Sequence, residues 1–148
     1  MLTENRTAQA EAEIRALLEN WKNAFLKRDV NAVMALYAPD VVAFDAILKL
    51  QFKGVEAYGK HWEACMAMCD GELVFEVREL TITAAEEIAF GHYLCRCGAT
   101  NDQGETQSSW MRVSFGLRRH AEGWRIVHEH FSAPFDPASG KALFDAQP

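Results

Sequence analysis

No run of basic residues in this sequence could neutralise a row of phosphates; the formal charge of −6 comes from Asp and Glu scattered among Lys and Arg. Nucleic acid is therefore not an expected partner. Missing too is any stretch near the roughly 20 apolar residues that span a bilayer, and Met1 to Arg15 is polar and acidic where an export signal would be basic and then apolar. The expectation is a soluble, cytoplasmic protein that touches no membrane. There is no glycine-rich phosphate loop, nucleophile elbow or dinucleotide fingerprint, so no nucleotide or other cofactor is expected. Cysteine is sparse: Cys65 and Cys69, then Cys95 and Cys97, are too few for a disulfide scaffold. A zinc site would need a helical and an extended pair to converge without the tight-turn Cys-x-x-Cys spacing. The four read as reduced, buried small side chains.

What is present suffices for one domain over 1–148, because 148 residues with 49% hydrophobic content can build a core without crosslinks. From Thr7 to Arg28 the apolar Ile14, Leu17, Leu18, Trp21 and Phe25 fall at steps of three and four, which predicts a long amphipathic helix. Asp29 caps a short second helix carrying Val30, Val33, Met34 and Tyr37, and Pro39 stops it. Val41 to Ala46 reads as a short strand, Leu48 to Lys53 as a second, and Gly54 opens a third helix that Gly71 ends. Then the period changes. Glu72 to Thr83, Ile88 to Thr100, Gln107 to Arg119 and Gly123 to Ala133 are rich in β-branched and aromatic residues and are separated by turn residues. They predict an antiparallel meander. The tail from Pro134 to Pro148 has Phe135, Leu143 and Phe144 as its only apolar anchors and is expected either to be mobile or to pack on a partner.

Helices first and hairpin-linked strands later make an α+β fold with helices on one sheet face. Such a sheet leaves a natural cavity at its wide end. Apolar and aromatic residues on both faces of the strands argue that the other face is covered, and a homodimer is the simplest cover.

The residues Trp21, Asp29, Leu36-Tyr37-Ala38-Pro39-Asp40 and Phe44-Asp45 resemble the amino-terminal half of SnoaL-like polyketide cyclases and ketosteroid isomerases. The run from Arg118 to Pro134, with Gly123-Trp124-Arg125-Ile126-Val127-His128-Glu129-His130-Phe131, is similar to the last strand of SnoaL-like domains and of the calmodulin-dependent kinase association domain. The nuclear-transport-factor-2-like superfamily to which these belong implies a cystatin-like cone, three amino-terminal helices on a curved, mainly antiparallel sheet, with a deep pocket and commonly a dimer across the sheet. It says little of activity, because this fold hosts isomerases, cyclases, dehydratases, hydrolases and inert assembly modules.

Asp45 closes the apolar run Val41-Val42-Ala43-Phe44, and the matching Asp of the isomerases is their base. A carboxylate in an apolar pocket suits proton abstraction near neutral pH; the plainer reading is that Asp45 ends the strand and accepts from a turn. The oxyanion-donating tyrosine of the isomerases corresponds to Trp21 and their protonated Asp falls near Phe115, so steroid isomerisation of the familiar kind is not expected. His128 and His130, two apart, share a strand face with Trp124, Ile126 and Ser132. The resemblance turns that face into the pocket, and matches Phe90 and His92 to pocket positions as well. Asp45, His92 and His130 are thus the expected catalytic set, and His128 a structural anchor beside it. Two His and a carboxylate could ligate iron or zinc, but no metal is assigned. Trp21, Tyr58 and Trp62 are expected to line the pocket as well as the core. Arg112 alternates with Met111, Val113, Phe115 and Leu117 and so faces away.

Two functions follow. The first is an acid–base enzyme of isomerase, cyclase or dehydratase type acting on a small apolar carbonyl or cyclic substrate. The second is a non-catalytic ligand-binding or association module, with Asp45 turned toward backbone donors.

Overall fold

Ala10, Ile14, Leu17, Trp21, Ala24 and Phe25 recur at helical spacing, and one helix, α1 (Leu2–Leu26), buries all six along a single stripe. The structure, a computed structural model, describes residues 2–148. The chain leaves α1 at Arg28, whose φ of 58° lies in the left-handed region. Asp29 then caps α2 (Val30–Met34) by accepting from the Ala32 N–H at 3.0 Å. The Arg28 guanidinium meanwhile donates to the carbonyls of Met66, Cys69 and Gly71 at 2.7, 2.6 and 2.6 Å. Those carbonyls lie at the end of α3 (Val55–Ala67) and just beyond it, where helical partners run out and a cation is favoured. One side chain thus ties the helical corner to the far end of α3.

Pro39 does not stop α2. It lies inside β1 (Tyr37–Phe44), which starts earlier than expected. The proline is tolerated there because the pairing of β1 is interrupted between Tyr37 and Val42, so no ladder donor is missed. The expected strand from Leu48 shrinks to β2 (Phe52–Lys53), since Leu48 takes φ 71° and turns the chain. The meander is observed as β3 (Glu72–Ala84), β4 (Ile88–Thr100), β5 (Thr106–His120) and β6 (Gly123–Ser132). The single six-stranded sheet has the order β2-β1-β6-β5-β4-β3, with β1 parallel to β6 and all other pairs antiparallel. The helices cover one face: Ile14, Trp21, Phe25, Val33, Tyr58 and Trp62 pack on Phe75, Tyr93, Val113, Phe115, Leu117 and Ile126. This is the α+β cystatin-like arrangement.

One irregularity decides which β6 residues reach the core. Gly116 pairs with His128 but Leu117 pairs with Ile126, so Val127 is an extra, unpaired residue. A bulge of this kind reverses the alternation of side chains beyond it. Trp124 and Ile126 point inward before the bulge and Glu129 and Phe131 after it, while His130 is exposed.

The tail is folded back. Phe135 bridges Ala142, Leu143 N–H donates to the Pro134 carbonyl at 2.7 Å, and Trp110 N–H reaches the Phe144 carbonyl at 3.4 Å. Among the described residues no helix is long and apolar enough to cross a membrane.

Candidate functional site

Asp45 follows the last residue of β1 and meets His61, which α3 presents from its inner side. His61 Nε2 lies 3.3 Å from Asp45 Oδ1, with side-chain exposures of 3% and 7%. Phe52 stacks on the imidazole at 4.1 Å and holds its plane. Oδ1 also accepts the Ile47 N–H at 3.1 Å. Both contacts fall on Oδ1, which leaves Oδ2 without a protein partner. One turn after His61, Cys65 Sγ lies 3.6 Å from the same Nε2. Burial, then the nearby Asp45 charge, pushes the Cys65 thiol up to about 11. It stays neutral near pH 7 and is a poor nucleophile.

Beside Asp45 opens a cavity of about 210 Å³ lined by Trp62, Phe75, Cys97, Met111 and Phe131 among others. Cys97 is pushed up to about 12, by burial first and then by Cys69 and Cys65. No Lys or Arg lines the space. Trp62 is 7% exposed, and its buried Nε1–H has no hydrogen-bond partner.

A second polar centre sits deeper. Glu129, 3% exposed, accepts the Tyr37 hydroxyl at 2.8 Å on each oxygen and the Tyr58 hydroxyl at 2.7 Å on Oε1. Trp21 Nε1–H donates in turn to the Tyr37 oxygen at 2.8 Å. Burial raises the Glu129 carboxyl to about 7; the two phenol donors oppose the rise, and the Asp45 charge adds to it. Burial and then the Glu129 charge hold both phenols well above their usual range.

The expected residues divide between these places. Asp45 and Trp62 line the cavity. Trp21 and Tyr58 are buried but serve the Glu129 network, and Phe115 is core. Asp45 and His130 line one open pocket of about 720 Å³ with Phe44 and Leu48, but His92 does not join them, so the expected sharing of a cavity by all three is met only for that pair. His92 and Phe90 alternate with the buried Ala89, Gly91 and Tyr93 and are exposed on the uncovered face. His130 is turned to that face by the Val127 bulge. His128 goes with it, its Nδ1 2.6 Å from the Val42 carbonyl and its ring edge-on to Phe44 at 4.7 Å. Among the described residues no group of three or more His, Cys, Asp or Glu is arranged to hold a metal ion.

The sequence reading missed His61, Glu129 and Tyr37 as site residues. His61 had a visible signal, since it shares the helical stripe of Tyr58, Trp62 and Cys65. Glu129 had none, because strict alternation through Val127 assigns it to the outer face.

A family model described as SnoaL-like domain matches residues 14–136. Among curated proteins none matches. A nuclear-transport-factor-2-like protein of unknown function from Pseudomonas putida is 50% identical, with a TM-score of 0.89 over 96% of this chain and 99% of that one. A candidate dehydratase of the same family from Streptomyces avermitilis is similar at 12% identity and a TM-score of 0.75, covering 85% and 97% of the two chains. A candidate calcium/calmodulin-dependent protein kinase II association domain from Xanthomonas campestris is similar at 20% and 0.71, covering 82% and 86%. These last two show shared fold.

Proposed function

The chain belongs to the SnoaL-like family of the nuclear-transport-factor-2-like superfamily, and from that premise we propose that it is an acid–base enzyme acting on a small apolar carbonyl compound, with Asp45 as base and His61 as its orienting partner. The observation that carries this reading is the pairing of Asp45 and His61 at 3.3 Å beside an apolar cavity, with Oδ2 left unclaimed. A general base needs one oxygen free for the substrate proton and a second contact that fixes its orientation. His61 takes the place that the sequence reading gave to His92 or His130.

The test is proton exchange. A bicyclic ketone such as 2-tetralone in deuterated buffer is expected to exchange its α-protons faster with the protein than in buffer alone, with a rate that saturates in ketone. Asp45→Asn is expected to return the rate to that of buffer, with the far-ultraviolet dichroism unchanged. Equal rates for wild type and variant would sink the proposal. The bond from the Ile47 N–H favours the second reading, a module that binds without chemistry; saturable binding with no exchange in either protein would select it.

We further propose that the uncovered sheet face pairs with a second copy. Ile88 and Phe90 on β4 stand 60% and 56% exposed on that face, and Phe44 on β1 37%, apolar side chains that burial against its own twin would cover. Sedimentation is expected to give twice the 16.7 kDa of the chain, and Phe90→Asp to halve it. A wild-type monomer rejects the pairing.

A further inference from the structure

We propose that the groove between α1 and β3 binds a small aromatic carboxylate that carries an oxygen at the end opposite its acid group. This site is separate from the Asp45 cavity, with which it shares Phe75 alone.

The groove, of about 410 Å³, lies between Arg15, Leu18, Glu19 and Lys22 on α1 and Phe75, Val77 and Leu80 on β3, the edge strand of the sheet. The α1 residues stand three, four and seven positions after Arg15, so they form one stripe beside the core stripe. On β3, alternation from Leu73 through Phe75 and Val77 would bring Glu79 inward. Glu79 instead takes φ 55°, the register with β4 shifts between Arg78 and Thr81, and Leu80 takes the inward place. The bulge exchanges an acid for an apolar wall.

Tyr93, on β4 behind the edge strand, also lines the groove. Of the three tyrosines, Tyr37 and Tyr58 donate their hydroxyls to Glu129. The Tyr93 hydroxyl bonds none of the described residues, although the side chain belongs to a residue only 5% exposed. It is not sealed off, because the one fully enclosed polar side-chain atom without a partner among the described residues is Trp62 Nε1. Burial, then the Glu129 charge, holds the phenol well above its usual range, so it remains a donor at neutral pH. A nearly buried donor without a protein acceptor, in a residue that lines a groove, marks where a ligand oxygen belongs.

The charges set the other end of the ligand. Arg15 and Lys22 line the groove, and neither is ion-paired among the described residues. Glu76 is held by Arg78 and Arg96 at 2.9 and 3.0 Å, which leaves Glu19, exposed to water, as the one uncompensated acid of the lining. Two free cations against one solvated acid favour an anion, and Lys22 is half-buried, which weakens the screening of its charge. Trp21, Phe75, Leu18 and Leu80 supply walls that suit a flat ring.

The experiment is calorimetric titration with 4-hydroxybenzoate and with benzoate, which lacks the second oxygen. Wild type is expected to bind both at one site and to prefer 4-hydroxybenzoate. Tyr93→Phe is expected to reduce that preference about ten-fold, as loss of one hydrogen bond does; the hydroxyl removed has no protein partner, so no group is left unpaired. Lys22→Met is expected to weaken both ligands about five-fold at low salt and to keep the preference. Asp45→Asn is expected to bind both as wild type does, whatever becomes of proton exchange, so this inference and the acid–base reading fail separately. No saturable binding by wild type, an unchanged preference in Tyr93→Phe, or lost binding in Asp45→Asn overturns the inference. Should Tyr93→Phe not fold, the other two variants decide: weakening in Lys22→Met with none in Asp45→Asn supports the groove, and any other pattern overturns it.

Discussion

Glu129→Gln is expected to abolish most of the loss of stability that the wild-type chain suffers between about pH 4.5 and pH 7. The folded carboxyl titrates near 7 rather than at its ordinary 4.5. Below the lower value both folded and unfolded chains hold the proton, and the stabilising contribution is complete. Between the two values only the folded chain keeps it, so each rise in pH favours unfolding; above 7 the loss is finished. The whole fall amounts to about 3 kcal/mol, or a drop in Tm of roughly 6–12 °C for a chain of this size. Glutamine has no proton to lose, and its amide oxygen can accept the Tyr37 and Tyr58 hydroxyls that now converge on Oε1. Its amide N–H groups find no acceptor among these partners, which costs about 1–3 kcal/mol at every pH. The two stability curves should therefore differ in slope, with the variant less stable in acid and level with or above wild type at pH 8. Thermal unfolding at intervals from pH 4 to pH 8 measures this difference and cancels the other titrating groups. Parallel curves would show that Glu129 titrates alike in the folded and unfolded chains.

The second large effect is expected at Gly98. A Cβ there would lie 1.9 Å from the Gln107 carbonyl oxygen and 2.6 Å from Ser108 Cα, both backbone atoms of β5. Gly98 pairs with Ser108 in the ladder, so neither strand can yield without parting the β4–β5 hydrogen bonds. Gly98→Ala should cost about 3 kcal/mol or more, the upper range for overpacking. It should also deform the cavity, which Gly98 helps to line. Gly116→Ala is the control: a Cβ there meets nothing nearer than His128 Cβ at 4.0 Å, and its stability should stay within about 0.5 kcal/mol of wild type. Urea midpoints read both. Equal midpoints for the two variants would mean that the strands separate at Gly98 without cost.

The candidate site was half legible before the fold was known. Asp45 was visible because an acidic residue closing an apolar strand is conspicuous, and Trp62 because it keeps helical spacing with Tyr58. His92 was turned inward by the resemblance alone, and His130 by alternation with Trp124 and Ile126. Alternation is a dependable guide along a regular strand, and it placed Arg112 on the uncovered face, where it is exposed. On β6 a single extra residue, Val127, breaks the count and exchanges His130 for Glu129. Whether a strand bulges depends on the register demanded by its neighbours, here β5 on one side and β1 on the other.

What the amino-acid sequence determined alone is the set of elements: three helices, a hairpin-linked meander, and the apolar stripes that face inward. These follow from periodicities of three to four and of two, which are local properties of the chain. Tertiary structure alone decided which polar groups meet. Tyr37 reaches Glu129 across a sequence separation of 92, and Asp45 finds His61 because β1 and α3 pack together. Such meetings depend on crossing geometry and strand register, and no local spacing in the chain encodes either.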